Sequence, residues 1–159
     1  MPHITIEYVI LVPVLFAQIL VFPLAASIMT SSWADVRREA ALEGAASHLA
    51  STIQQLYLSV NRDEIVAGNI TQASTLPPTI ESYPYTATGN LGAPLGSSSS
   101  RVLTLSLRLE EAGNTVTATA LLGPNAKWNG GTFRSNSPDA SIKVQKLVNG
   151  TLLFSFQGG

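Results

Sequence analysis

The fold of this chain is decided by residues 4–29, which read ITIEYVILVPVLFAQILVFPLAASIM. The stretch is apolar except for two prolines and a few polar positions: Thr5, Glu7, Tyr8, Gln18 and Ser27. As a continuous helix, these 26 residues would extend about 39 Å at 1.5 Å per residue. The hydrocarbon core of a bilayer is about 30 Å thick, so we predict that this helix lies in a membrane at some stage.

The rest of the chain has a different composition, rich in Ser, Thr, Gly and Asn. Only 12% of the 159 residues are charged, and the net charge is −1. The Lys and Arg side chains are scattered along the sequence, so no concentrated basic face is available and nucleic acid is excluded as a partner. The absence of cysteine removes disulfides, thiolate chemistry and sulfur-ligated metals.

Three interpretations of the apolar stretch can be compared. A secretory signal peptide is disfavoured, because no Lys or Arg precedes Arg37 and the apolar run is too long. A plain membrane anchor fits better, with Trp33 at the interface and Arg37 and Arg38 on a cytoplasmic flank. Glu7 fits the anchor badly, because an unpaired carboxylate in hydrocarbon is costly. In the third interpretation, parallel copies of the helix pack together in a filament and neighbouring chains supply partners for Glu7.

The start of the stretch, His3-Ile-Thr-Ile-Glu7-Tyr8-Val-Ile-Leu, resembles the start of a type IV pilin, particularly of the archaeal kind. In many of those proteins a Gln-x-Ser/Thr-x-Glu-Tyr/Phe pattern opens the apolar helix. Thr5, Glu7 and Tyr8 match this pattern, whereas His3 stands where Gln is usual. The resemblance covers about the first thirty residues and is architectural beyond them.

The resemblance implies a biogenesis route and a role for Glu7. In that family, a prepilin peptidase removes a short basic leader, and an assembly ATPase with a membrane platform protein builds the filament. The Glu of the motif registers an incoming subunit against the N-terminus of its neighbour, a role that falls on Glu7 here. The mature chain would start at His3 if Glu occupies its fifth position, or at Met1 if the leader already lies outside this numbering.

Pro13 and Pro23 lie inside the apolar stretch. Each removes one backbone donor and clashes with the preceding turn, at a cost of about 3 kcal/mol or more in an isolated helix. Two alternatives are open: a kink or gentle bend of the kind that membrane helices tolerate, or local unwinding inside a filament. Pilins of the type that this chain resembles often have a helix-breaking proline near the position of Pro23.

Beyond Met29 the composition becomes mixed while the helical period continues. Apolar residues at i, i+3, i+4 and i+7 spacing form one stripe: Leu42, Ala45, Ala46, Leu49, Ile53, Leu56, Tyr57 and Val60. We therefore predict one N-terminal helix over residues 1–60. Residues 4–29 would be its hydrophobic filament-core segment, and residues 31–60 its amphipathic half.

Residues 61–159 are predicted to form a small antiparallel β-sheet or sandwich packed on the amphipathic half, so that the fold class is α+β and pilin-like. Period-two alternation predicts strands at three places: residues 103–109, 115–120 and 142–145. Asn149-Gly150, followed by alternating apolar residues, predicts a hairpin with a type I′ turn. Loops are predicted at Pro77, Pro78, Pro84, Pro94 and residues 97–100.

Two acceptor patterns predict sites of N-linked glycosylation. They are Asn69-Ile-Thr71 and Asn149-Gly-Thr151. Asn69 is the better candidate, because Asn149 falls in a predicted tight turn.

The sequence predicts no catalytic residue, no cofactor and no metal site. His48 has no metal-ligating residue at the required spacing and is interpreted as a surface histidine of the helix. The pairs Asp63-Glu64 and Glu110-Glu111 would point to opposite faces of a strand, which suits an acid/base dyad poorly. An enzyme is not expected.

These features predict a major pilin, a structural subunit that polymerises with copies of itself into an extracellular filament for adhesion, aggregation or surface motility. Before assembly the subunit would be inserted in the cytoplasmic membrane. One alternative is a membrane-anchored monomeric β domain. The other is an archaellin of a rotating filament, although archaellins usually lack the Glu-Tyr pair found at Glu7 and Tyr8.

Overall fold

The computed structural model describes residues 3–92 and 100–159, with side chains from residue 11 onward. It confirms the α+β fold class, with one long N-terminal helix followed by two small sheets of mainly antiparallel strands. The elements, in chain order, are α1 (His3–Val60), β1 (Gly68–Ala73), β2 (Tyr85–Gly92), β3 (Arg101–Leu109), β4 (Thr115–Leu122), β5 (Ala126–Trp128), β6 (Thr132–Arg134), β7 (Ser141–Lys146) and β8 (Leu152–Gln157).

The chain divides into two compact units, Met1–Arg37 and Arg38–Gly159. Helix α1 contributes to both. Its backbone is α-helical through Pro13 and Pro23, so the single chain shows no local unwinding at either proline.

In the second unit, the amphipathic half of α1 closes the core as predicted. Every residue of the predicted apolar stripe is buried, from Leu42 to Val60. The opposite face is exposed and polar, for example at Glu43 and Ser47. At one end of this packed segment, Arg38 donates from Nε to Oε2 of Glu81 at 3.0 Å and lies 5.1 Å from the ring centroid of Tyr83.

The β strands form two four-stranded sheets. Their strand orders are β1-β7-β8-β5 and β4-β3-β2-β6, and every pairing is antiparallel except the parallel pair β5–β8. The three predicted strands are present as β3, β4 and β7. The sequence did not predict β1, β2, β5 or β6. The predicted loop residues Pro94 and 97–99 lie outside the described residues.

A row of aromatic rings connects the two sheets through the core. Trp128 on β5 meets Phe156 on β8 edge to face, with ring centroids 4.9 Å apart. Phe156 in turn lies 5.8 Å from Phe133 on β6, and Phe133 lies 6.4 Å from Tyr85 on β2. Gly89 leaves room for Trp128, because a Cβ there would lie 2.5 Å from the indole ring.

The C-terminal end of α1 is closed by polar groups from the β region. Nζ of the buried Lys146 donates to the carbonyl oxygens of Val60 and Arg62, at 3.1 and 2.7 Å. The terminal carbonyls of a helix lack intrahelical partners and carry partial negative charge, so a buried cation is favourable there. The hydroxyl of Tyr57 donates to Asn125 at 3.0 Å and accepts from Asn61 at 3.1 Å, which adds a second connection.

The hairpin predicted between β7 and β8 is confirmed, but its predicted type I′ turn is wrong. A type I′ turn needs positive φ at both central residues, and only Gly150 has it, at +80°. Gly150 N donates to Leu147 O at 2.9 Å, so Val148 and Asn149 are the central residues of the turn and Gly150 follows it. A three-residue loop with a left-handed glycine after the turn is a common hairpin connection.

A type I′ geometry occurs instead at Glu81 and Ser82, with φ of +49° and +75°. Ile80 and Tyr83 exchange two backbone hydrogen bonds of 2.9 Å across these two residues. Non-glycine residues in this region are strained by roughly 1–2 kcal/mol each. The contacts of Arg38 with Glu81 and Tyr83 hold the turn in place.

Both carboxylate pairs lie in turns. Asp63 and Glu64 form a turn after α1, and Glu110 and Glu111 lie in the β3–β4 turn, where Glu111 has a φ of +69°. Glu110 accepts a hydrogen bond from Arg134 Nε at 3.1 Å. The turn that begins directly after Leu109 lets β4 fold back on β3.

Tyr85 holds the proline-rich loop against β2 and makes stability depend on pH. Its buried hydroxyl donates to Pro77 O at 3.0 Å, and burial raises the pKa of Tyr85 to about 12 from 10.0. The folded state thus binds this proton more tightly than the unfolded state. Its contribution to stability is complete below pH 10 and is lost as the pH rises from 10 through about 12.

We therefore expect the urea midpoint of the β domain to fall between pH 10 and 12, the interval between the unfolded and folded pKa values of Tyr85. The Tyr85→Phe variant should lose most of this fall. Urea titrations followed by circular dichroism at a series of pH values measure both proteins. An equally steep fall in the variant would show that another group is responsible.

Candidate assembly element

The apolar stretch of α1 has no partner surface within its own unit. The large apolar side chains from Leu11 to Met29 are exposed, with Phe22 at 78% and Leu20 at 70%. None of the side chains in the most apolar window of the helix is buried. Among the described residues, α1 is the one helix that is long and apolar enough to cross a membrane.

The apolar surface extends around the whole helix. Four consecutive residues, Ile19, Leu20, Val21 and Phe22, are each at least 59% exposed. Successive residues in an α-helix are turned by about 100°, so these four cover every direction around the axis. A helix that is hydrophobic all round belongs in a protein interior or a membrane, because it has no face that suits water.

The apolar surface ends at a short polar band. The hydroxyls of Thr30 and Ser31 donate to the carbonyl oxygens of Ala26 and Ile28, at 2.8 and 2.9 Å. These bonds satisfy the hydroxyls within the helix, so the band does not need water at this level. Trp33 follows with its side chain 72% exposed, in a position that suits a polar–apolar boundary.

The structure places the predicted assembly residues on one helix. Thr5, Glu7 and Tyr8 belong to α1 by their backbone, and their side chains lie outside the described part of the chain. Pro13 and Pro23 lie inside the same helix. Because proline lacks an N–H, Pro23 leaves the carbonyl of Ile19 without its intrahelical donor.

No protein-family model, no curated protein and no solved structure matches this chain. The features of this chain that point to a function are the apolar surface of α1 and the motif formed by Thr5, Glu7 and Tyr8. Both belong to the first unit of the chain.

The two candidate glycosylation sites differ in local structure. Asn69 is exposed on β1, an edge strand, where it is paired with Gln145 of β7. Asn149 is exposed in the β7–β8 turn, and its Oδ1 accepts a hydrogen bond from Thr151 N at 3.0 Å. A sugar on Asn149 would therefore have to be accommodated beside this local hydrogen bond, whereas no such side-chain hydrogen bond is seen at Asn69.

Within the described residues, no group of three His, Cys, Asp or Glu side chains is placed to hold a metal ion. His48 lies on the exposed face of α1. Sequence reasoning missed two functional contacts of the β domain: the Arg38–Glu81 pair and the contact of Lys146 with the end of α1. Both join residues more than forty positions apart, so no local pattern could reveal them.

Proposed function

We propose that the chain is the major subunit of an extracellular type IV pilus-like filament, with parallel α1 helices bundled at the axis and β domains outside. The exposed apolar surface of residues 11–29 carries this proposal. A chain whose second unit has its own buried core still exposes a helix that is apolar all round. The role is structural rather than catalytic, and the partners are other copies of the same chain.

Burial supplies the driving force for assembly. A fully buried Leu or Phe side chain contributes about 1.5–3 kcal/mol relative to its exposed state. Lipid offers the same gain to a single helix, so hydrophobicity alone does not favour the filament. The resemblance at Glu7 does favour the filament, because a carboxylate inside hydrocarbon costs about 2.5–3.5 kcal/mol or more. In a bundle, the N-terminus of a neighbouring chain would neutralise this carboxylate.

The contacts of Arg38 weigh against the charged membrane flank that the anchor interpretation uses. In the anchor interpretation, Arg37 and Arg38 flank the membrane on its cytoplasmic side. The guanidinium of Arg38 is instead engaged with Glu81 and Tyr83 of the β domain. If the flank is to bind lipid headgroups, either Arg38 does not take part or its ion pair with Glu81 breaks.

The family resemblance supplies the remaining parts of the proposal. A prepilin peptidase would process the chain, the cytoplasmic membrane would hold it before assembly, and an ATPase with a platform protein would extrude the filament. The filament would serve adhesion, aggregation or surface motility.

A membrane-anchored monomeric β domain is the second candidate. It is favoured by the length and apolar composition of α1, which suffice for crossing a membrane, and by the exposed Trp33 beyond the apolar stretch. The two functions differ in one observable respect, since only the filament requires contacts between copies of α1.

Replacing Glu7 by alanine tests the proposal. The variant should enter the membrane and keep its folded β domain, yet form few filaments, because incoming subunits lose the charge that sets their register. Filament mass on producing cells is measured by shearing and immunoblotting, with the membrane-bound fraction as a check on production.

Glu43→Ala is the matched control, since Glu43 is an exposed carboxylate on the amphipathic half of α1. We expect normal filament yield from this variant. Normal yield from Glu7→Ala as well would remove Glu7 from the assembly mechanism. A parent protein that yields only membrane-embedded monomers would refute the filament itself.

A further inference from the structure

The edge strand β4 is long, regular and uncharged. It comprises Thr115–Leu122, without Pro, Gly or any charged residue, and pairs with β3 in an unbroken register from Arg108–Thr115 to Arg101–Leu122. No other strand in the described part of the chain pairs with it. Proteins usually protect such an edge by shortness, charge, proline or a bulge, and β4 has none of these protections.

The other three sheet edges are less suited to pairing. Strands β5 and β6 have three residues each. Strand β1 has six residues, begins at a glycine and carries the glycosylation candidate Asn69. Strand β4, with eight residues, is the longest edge.

The backbone groups on the open side of β4 can be identified. Leu109 N donates to Asn114 O at 2.9 Å, so this residue pair is a hydrogen-bonded one. Hydrogen-bonded pairs alternate with non-hydrogen-bonded pairs along an antiparallel ladder. The N–H and C=O groups that point away from β3 therefore belong to Thr115, Thr117, Thr119 and Leu121.

We propose that β4 is an interaction surface for β4 of a second copy of this chain, paired antiparallel about a two-fold axis through Ala118. In this register Thr117 lies opposite the second copy's Thr119, and Thr115 lies opposite its Leu121. Each of the four open residues then belongs to a hydrogen-bonded pair with a residue of the second copy, which gives about eight new backbone hydrogen bonds.

A second copy is the occupant because β4 is complementary to itself. Two-fold pairing about Ala118 places Thr117 opposite Thr119 and Thr115 opposite Leu121, so a charge at any of these positions would have no opposite charge to pair with on the second copy. Strand β4 avoids this cost, since its outward side chains are threonines and Leu121 and threonine pairs across strands are favourable. On the inner face, the partly buried Val116 and Ala118 would gain cover from the second copy.

Cysteine cross-linking of the full-length chain in nonionic detergent tests the register, since the native chain has no cysteine. Thr117→Cys chains are mixed with size-tagged Thr119→Cys chains and oxidised. Directly opposed residues of a hydrogen-bonded pair have Cα atoms about 5.5 Å apart, within disulfide reach. Two copies of Cys at position 117 would be diagonal neighbours at about 7–8 Å, beyond that reach.

We expect the mixture to give about tenfold more disulfide dimer than Thr117→Cys alone, because only the direct pair can be bridged without backbone movement. Thr104→Cys is the matched control, because Thr104 is exposed on the same sheet face but lies on β3, opposite Thr119. It should give no dimer. Adding Thr119→Lys to the Thr117→Cys chain and Thr117→Lys to the Thr119→Cys chain should abolish the cross-link, because the two lysines would then lie directly opposite each other and repel.

Equal dimer yields from the mixture, from Thr117→Cys alone and from Thr104→Cys would overturn the proposal, as would the absence of any dimer. Cross-linking of β4 in cells to a different protein alone would also overturn it. Failure of this proposal differs from failure of the filament. Filaments without the cross-link leave the proposed function intact, and the cross-link in a chain that forms no filaments leaves the β4 contact intact.

Discussion

Replacing Phe22 by alanine is expected to raise the concentration of unassembled subunits by roughly 30- to 150-fold, because burial of its side chain contributes about 2–3 kcal/mol. Phe22 is 78% exposed and lies outside the buried core of the β domain. The substitution therefore removes contact surface from the proposed helix bundle but removes no contact from the core of the β domain. The free subunit left after sedimentation of assembled filaments measures the effect.

Leu58→Ala is the control for this prediction. Leu58 is also an exposed apolar residue of α1, at 63%, but it lies in the amphipathic half, outside the apolar stretch. Its replacement should leave the free concentration nearly unchanged. If Phe22 contacts only lipid, as in a monomeric anchor, Phe22→Ala and Leu58→Ala will behave alike, and the bundle is contradicted.

Replacing Gly131 by alanine is expected to destabilise the β domain by about 2–5 kcal/mol, since left-handed strain and overpacking add. Gly131 has a φ of +96°, and a Cβ built there would overlap the carbonyl oxygen of Phe156. Backbone cannot move aside as a flexible side chain can. A typical domain is stable by only about 5–15 kcal/mol, so a large part of the stability is at risk.

The measurement is a urea titration in detergent, followed by fluorescence of Trp128, whose ring meets Phe156. Gly113→Ala is the matched control, because Gly113 has a φ of +79° but nothing within 4 Å of the added Cβ. It should lose only about 1 kcal/mol from backbone strain. Equal losses in the two variants would show that the close approach of Phe156 does not contribute.

Periodicity predicted the parts of the fold that bury one face. The stripe from Leu42 to Val60 and the leucines of β3 are buried as predicted, because their spacing follows directly from helix and strand geometry. The strands that the sequence missed lack this signal. Strand β1 is mostly exposed and polar, and β2 carries Gly89, whose role depends on Trp128 from another strand.

Turn geometry was the least predictable feature. Asn149-Gly150 has the usual chemistry of a type I′ turn, yet the chain places the turn one residue earlier. The real type I′ turn uses Glu81 and Ser82, which have no glycine signal. Arg38, over forty positions away, contacts Glu81 in this turn.

The candidate assembly element was predictable in composition but not in its partners. The sequence alone locates the apolar stretch, and the structure adds that its side chains stay exposed on every side of the helix. A single sequence does not encode in any local pattern whether lipid or another chain covers these side chains.

Negative-stain electron microscopy of the purified full-length protein after detergent removal, with and without added lipid, shows whether copies of α1 assemble on each other. We expect unbranched filaments of uniform diameter in the absence of lipid, because copies of α1 then bury residues 11–29 against each other. Amorphous aggregates without lipid, together with single membrane-embedded subunits when lipid is present, would contradict the proposed filament.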